Sequence, residues 1–203
     1  MKSAGLADAG RRPYRMTARA DAALATERRL LEVALELFTE NPYEDVSLDG
    51  VAARAGVSKR TVIRRFGSKE ALFAAAMASV VPQIVAQRGG APVGDVAAAV
   101  RNLVDHYERW GANRLRLLSQ EDRIPVVAKV VADGRRYHAD WVARTFAPLM
   151  DTLDGAARGR RHAGLVALTD VYTWKLLRLD LGLSRADAEG ALVELISELR
   201  GAQ

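Results

Sequence analysis

Between Leu30 and Phe73 the chain reads LLEVALELFTENPYEDVSLDGVAARAGVSKRTVIRRFGSKEALF. Leu30, Ala34, Leu37 and Phe38 fall at i, i+4, i+7 and i+8, one face of a helix. Asn41-Pro42 ends it, because the residue before a proline is pushed out of the helical region. Ser47 stands where an N-cap belongs, and Leu48, Val51, Ala52 and Ala55 follow at i, i+3, i+4 and i+7, a short second helix. Gly56 supplies the positive φ of a tight turn, Val57 plugs the corner, and Ser58 caps a third short helix through about Phe66. Two short helices about a glycine turn are the helix-turn-helix pattern. Gly67 ends the third helix, and Ser68 caps a fourth running through Leu72, Phe73 and Met77.

The charge pattern falls on the same stretch. Arg54, Lys59, Arg60, Arg64, Arg65 and Lys69 follow one another with no acid between them, whereas from Ala74 onward 17 basic and 15 acidic residues nearly cancel. A local basic patch on a nearly balanced chain, net +5 overall, points to a polyanion surface. A helix presented by a helix-turn-helix fits the major groove of double-stranded DNA, its first residues reaching base edges. Lys59 and Arg60 lie in the first turn of the third helix, with Arg64 one turn later on the same face. By position Ser47, Ser58, Thr61 and Lys69 are phosphate contacts, which orient the protein without reading sequence.

The remaining sequence bounds the rest of the molecule. With 203 residues, 49% hydrophobic and 27% charged, the chain is a soluble protein of one ordinary domain or two small ones. It has no cysteine, which excludes disulfides, thiolate nucleophiles and cysteine-ligated metals together. The N-terminus has no apolar signal region. The apolar run Ala71 to Gln87 is mostly alanine, is broken by Pro82 and falls short of the ~20 residues of a spanning helix, so it reads as buried helix, with no membrane partner and a cytoplasmic location. Residues 1–24 lack periodicity and read as a flexible arm, solvated or with Arg11, Arg12, Arg15 and Arg19 touching a phosphate backbone. Pro82 should kink or stop the fourth helix, and Gln87 to Gly94 reads as a loop, making that helix a bridge between residues 25–74 and a second domain, 75–203. There the pattern predicts helices over Val96 to Trp110, Arg114 to Gln120 and Pro125 to Leu153. No alternating strand pattern occurs, so the fold class is all-α: a three-helix DNA-binding head followed by a helical bundle.

In HAGLVALTDVYTWKLLRLDLG, His162 to Gly182, two apolar stripes lie side by side: Leu165, Leu168, Tyr172, Leu176 and Leu179, and Val166, Trp174, Leu177 and Leu181. One stripe suffices for a surface helix, so the second predicts burial against a further partner. Ser184 and Asp187 have capping-box spacing and open a final helix that buries Leu192, Leu195, Ile196 and Leu199 and exposes Glu194 and Glu198. The pair predicts a homodimer built on the last two helices.

The stretch Leu30 to Phe73 resembles the N-terminal DNA-binding domain of the TetR family of transcriptional regulators. Phe38, the entry Val46 to Leu48, Ala52, the turn Ala55 to Ser58, Thr61, Phe66 and Ser68 to Glu70 match in order and spacing. The hairpin Leu165 to Leu199 resembles the terminal helices of one branch of that family; between the two segments the likeness is to a helical architecture only. The chain departs from the family in having Asn41-Pro42-Tyr43 where a glycine usually precedes the aromatic, and in having Ile63 where a DNA-contacting tyrosine is usual, with Arg64 and Arg65 beside it to replace that contact. The resemblance implies a repressor that binds a pseudo-palindromic operator as a homodimer and is released by a small apolar or aromatic effector, with Ser47, Ser58, Lys59, Arg60, Thr61, Ile63, Arg64, Arg65 and Lys69 at the DNA. A ligand-independent DNA-organising or adaptor protein of the same fold is the alternative.

For the effector site the aromatic residues Tyr107, Trp110, Tyr137, Trp141, Phe146 and Trp174 are candidates, with Arg114 or His138 for polarity; plain core packing is the other reading of such residues. No cofactor or metal is implied. His106, His138 and His162 show no metal-ligand spacing, and neither a glycine-rich phosphate loop nor a Gly-x-Ser-x-Gly elbow occurs, so catalysis is not expected.

Overall fold

The computed structural model describes residues 11–199, with side chains from Ala20 onward. The described chain is helical throughout, with no strand. It divides into two compact units that meet between Ser79 and Val80, five residues beyond the boundary read from the sequence.

In the first unit α1 (Arg11–Glu40), α2 (Leu48–Ala55), α3 (Lys59–Phe66) and the start of α4 (Lys69–Gly89) enclose one core. The α1 stripe is buried at Leu30, Ala34 and Phe38, with Val51, Ala52, Val62, Leu72 and Phe73 facing it. Phe38, Tyr43 and Phe73 form an aromatic triad: Phe38 stacks on Tyr43 at 5.6 Å, and Phe73 meets both edge-on at 5.0 and 5.2 Å. Tyr43 sits in a single 3-10 turn after Pro42, so the Asn-Pro-Tyr entry anchors α4 to α1. Ser47 and Ser58 cap α2 and α3 through the amides of Gly50 and Thr61. Gly56 closes α2 at φ 71°, in the left-handed region that costs glycine nothing.

Two expectations change here. α1 begins at Arg11, so residues 11–24, expected to lie in an arm, continue the helix; alanine and arginine are strong helix formers and need no apolar stripe to propagate one already nucleated. The side chains of Arg11, Arg12, Arg15 and Arg19 and residues 1–10 lie outside the described part. α4 neither stops nor divides at Pro82 but runs to Gly89. It is long and apolar enough by length and composition to cross a membrane, yet Leu72, Phe73, Ala76, Met77, Val80 and Arg88 on one face are buried, the pattern of a core helix.

The second unit is built around α5 (Val96–Leu118), which packs on α6 (Pro125–Thr145), α8 (Val171–Lys175) and α9 (Arg185–Glu198), while α7 (Gly155–Leu168) packs on α6 and α9. α5 is one helix where two were expected. It continues through Gly111, where the six-membered ring of Trp174 occupies the space of a side chain: a Cβ there would lie 2.5 Å from it. α6 ends at Thr145, and a 3-10 turn over Ala147–Leu149 follows, because Pro148 removes the next amide donor.

The expected helix around Trp174 is broken. Thr169 turns its hydroxyl back on the Leu165 carbonyl at 2.6 Å, and the Asp170 carboxylate accepts from the Tyr172 amide at 2.9 Å. These local bonds compete with the ladder; α7 ends, α8 begins, and a π-turn over Leu176–Asp180 follows. The apolar stripes therefore separate. Leu165, Val171 and Trp174 are buried, whereas Tyr172, Leu176, Leu179 and Leu181 are exposed. In α9 Leu192 and Ile196 are buried as expected, but Leu195 is exposed, since its stripe is wider than the unit can cover.

Candidate nucleic-acid interface and a buried polar cluster

Helix α3 fully buries only Val62 and turns Lys59, Arg60, Ile63 and Arg64 to solvent. Lys59 reaches Asp49 at 2.7 Å, an exposed pair that DNA can displace at little cost. Arg60 and Arg64 have no ion pair or hydrogen bond among the described residues. Two unengaged guanidinium forks one turn apart are the donors that bidentate readout of guanine uses. Ile63, 44% exposed, stands between them with an apolar surface suited to a thymine methyl. Ser58 and Thr61 share a hydrogen bond of 3.0 Å at the start of α3, where exposed amides favour anions.

Arg65 and Lys69 differ from this set. The Arg65 guanidinium donates to Glu27 at 2.6 Å and to the Ala23 carbonyl at 2.7 Å, so it clamps α3 to α1. Arg54 is held by Glu36 at 3.1 Å. Lys69 donates to the Glu44 carbonyl at 3.2 Å and lies 4.3 Å from the centre of the Tyr43 ring; burial lowers its pKa. Burial, with the charge and hydrogen bond of Glu70, pushes the Tyr43 hydroxyl up to about 12. Of the six cations in the run from Arg54 to Lys69, three are engaged within the unit and Lys59 is loosely paired. The sequence could not show this, because Glu27 and Glu36 lie 38 and 18 residues away from their partners.

A second constellation occupies the other unit. Arg88, near the end of α4, is 2% exposed. Its guanidinium lies 3.6 Å from the centre of the Trp141 ring, whose indole N–H donates to the Arg88 carbonyl at 2.9 Å. Arginine has only donors, so the 3.2 Å contact between Arg88 and His138 Nδ1 makes that nitrogen the acceptor. His138 Nε2 then carries the proton and donates to the Thr169 hydroxyl at 3.2 Å. Tyr107 donates to the Thr169 carbonyl at 2.9 Å. Burial, and next the Arg88 charge, drive both His138 and His106 down to about 3. Burial also lowers Arg88 to about 10, opposed by Tyr107 and Tyr137. Arg114 is lowered by the same cause, and its guanidinium occupies the space beside Gly134 where a side chain would stand.

The sequence candidates for an effector site fall unevenly around this chain. Tyr107, Tyr137, Trp141, Arg114 and His138 belong to it, and Phe146 meets Trp141 edge-on at 5.6 Å. Trp174 packs 5.9 Å from Tyr107 and donates to Glu108 at 3.2 Å, behind Gly111. Trp110 lies under Arg109 at 4.9 Å and joins none of them. Arg88 is absent from the sequence candidates, because Gln87 to Gly94 reads as a loop there whereas α4 runs on to Gly89. The stripe Leu72, Ala76, Val80, Ile84, Arg88 carries the signal once the helix is continued. Among the described residues no three His, Asp or Glu side chains gather as a metal site.

Residues 30–76 match the family model for bacterial regulatory proteins of the tetR family. Over 47 residues, 23% of this chain and 24% of the relative, 40% are identical to a Mycobacterium tuberculosis protein named as a mycofactocin biosynthesis transcriptional regulator, MftR. The chain thus spans about a quarter of the length of such curated relatives. In fold it is similar to a tetR-family transcriptional regulator from Streptomyces coelicolor, with a TM-score of 0.65 and 22% identity over 85% of this chain and 81% of the other. It is also similar to the flavonoid-responsive regulator FrrA, with a TM-score of 0.59 and 23% identity over 87% and 95%. Residues 30–76 thus carry the DNA-binding domain of the tetR family of bacterial regulatory proteins, and over most of its length the chain shares the fold of solved transcriptional regulators.

Proposed function

We propose that the protein is a cytoplasmic, homodimeric repressor that reads a pseudo-palindromic operator through α3 and is released from it by a small effector bound in the second unit. The observation that carries the reading is the exposed face of α3, with Arg60 and Arg64 unengaged beside Ile63. Arg60 and Arg64 read bases; Ser47, Ser58, Thr61 and Lys59 hold phosphates; Arg65 sets the pose of α3; Lys69 combines a tether to the α2 entry with a charge near the backbone. Flavonoid response in one protein of similar fold supports an aromatic class of effector.

On a site selected from random-sequence DNA, Arg60→Ala should lose about 1–3 kcal/mol of binding while non-specific DNA loses only what one charge supplies, a salt slope smaller by about 1. Gel-shift or fluorescence titration at several salt concentrations measures both. Equal losses on both DNAs would assign Arg60 to the phosphates instead.

The dimer rests on Tyr172, Leu176, Leu179, Leu181 and Leu195, apolar side chains all exposed in the second unit and near the sequence positions expected to pair. Soluble monomers rarely leave such a patch open, and a two-fold axis through it matches two half-sites. The double variant Leu179→Glu, Leu195→Glu should sediment as a monomer at micromolar concentration with an unchanged circular dichroism spectrum. A dimer that survives both substitutions places the interface elsewhere.

A further inference from the structure

The cation at the head of the buried chain has no anion. No carboxylate pairs with Arg88 among the described residues, and its Nε–H has no hydrogen-bond partner. Buried charges are paired in folded proteins because desolvation penalises a lone one heavily. The remaining neighbours supply no negative charge: a neutral imidazole, an indole face and phenol hydroxyls surround the guanidinium. His106 Nδ1 is a second buried polar atom with no partner, close enough for its protonation to be opposed by Arg88, His138 and Arg114. A buried guanidinium with an unmet donor, in a surround that also holds an imidazole nitrogen able to carry a proton, is the complement of an acceptor-only group.

We propose that Arg88, with His106 and His138 beside it, is an anion subsite in the second unit that takes the carboxylate of a small aromatic acid. This rests on the reading of that unit as the effector domain and gives the effector its chemical class. One carboxylate matches the unmet charge: His138 must stay neutral to accept from Arg88, and Arg114 is spent on the Val131 carbonyl at 3.4 Å and the space beside Gly134. A phosphate dianion would exceed it. The aromatic body follows from Tyr107, Tyr137 and Trp141 at the guanidinium, with Phe146 edge-on behind Trp141, since ligand sites combine apolar walls with one or two convergent polar groups. Trp141 covers one face of the guanidinium and also holds the Arg88 backbone carbonyl, so the donors are oriented before a ligand arrives.

The test compares acetate, benzoate and 2-naphthoate with their uncharged amides on the full-length protein, followed by tryptophan fluorescence and thermal melting. At least one aromatic acid should bind saturably, at least tenfold more tightly than its amide and than acetate. Arg88→Gln should lose at least tenfold of that affinity, and Arg88→Lys, which keeps the charge without the fork, should fall between. Acid and amide binding alike, an Arg88→Gln variant that binds the acid like the parent, or no response to any acid of the series would each overturn the subsite. The acid and amide comparison uses the parent protein, so it holds even where a variant fails to fold. Adding selected operator DNA separates the two ideas. A bound acid that leaves operator affinity unchanged overturns the effector reading and keeps the subsite; a neutral compound that releases the operator from parent and Arg88→Gln alike keeps the effector reading and overturns the subsite.

Discussion

Phe73→Ala is expected to unfold the DNA-binding unit while leaving the second unit folded. Phe73 is completely buried and is the side chain through which α4 meets both Phe38 and Tyr43. Truncating a buried phenylalanine costs about 3–5 kcal/mol, the removed apolar area plus the cavity left behind. The triad resists collapse into that cavity, because Phe38 and Tyr43 are each held by their own helix or turn. In a unit this small, such a loss lowers Tm by on the order of 20 °C. The chain offers a direct measurement: Trp110, Trp141 and Trp174, its three tryptophans, all lie beyond Ser79. Far-ultraviolet circular dichroism should show an early transition in the variant that tryptophan fluorescence does not, and operator binding should disappear with that transition. A tryptophan-detected melt that falls equally would mean that the two units unfold as one.

Lowering the pH from 7.5 to 5 should destabilise the second unit by about 2 kcal/mol for each of His106 and His138. Both are held near 3 in the folded protein, by burial first and the Arg88 charge second, and titrate near 6.5 when unfolded. A base whose folded pKa is depressed leaves the unfolded state to take up the proton first. Stability is therefore complete above the unfolded value and falls as pH drops through it toward 3. The geometry gives the same sign, since a proton on His138 Nδ1 would remove the acceptor that Arg88 uses and set two cations 3.2 Å apart. Tm detected by tryptophan fluorescence should fall by roughly 10 °C between pH 7.5 and 5. In His106→Gln the slope should be about half as steep. An unchanged slope in that variant would show that His106 takes up its proton equally in the folded and unfolded chain.

The reading head was legible in the sequence because its signals are local. Ser47, Gly56 and Ser58 act on amides within a few residues of themselves, and a cap or a left-handed turn needs no distant partner. What depended on distance was not legible. That Arg65 is a clamp and Arg64 is not follows from Glu27 and Ala23 one helix away. The break at Thr169 and Asp170 was visible only as two weak helix formers inside a strong apolar pattern, and the pattern prevailed over the local side-chain bonds that interrupt the helix. Pro82 misled in the opposite direction. One missing amide costs a helix about 3 kcal/mol, which α4 offsets by burying Leu72, Phe73, Ala76, Met77 and Val80 ahead of the proline, and the buried cation beyond it went unread. The aromatic candidates were half informative: Tyr107, Tyr137 and Trp141 gather at Arg88, whereas Trp174 fills the notch at Gly111 and Trp110 stands apart.

The passage of the chain from one unit to the other inside α4 constrains how such proteins can be recombined. At 3.6 residues per turn each residue added to a helix rotates everything after it by about 100° and advances it by about 1.5 Å. A single insertion between Ser79 and Ile84 would rotate the later part of the buried stripe, at Arg88, by about 100° from its earlier part at Leu72, Phe73, Ala76 and Met77, although it touches no reading residue. A flexible linker would have absorbed the same change. A reading head exchanged along this helix therefore keeps its buried stripe in one line only when the seam is lengthened or shortened by whole turns.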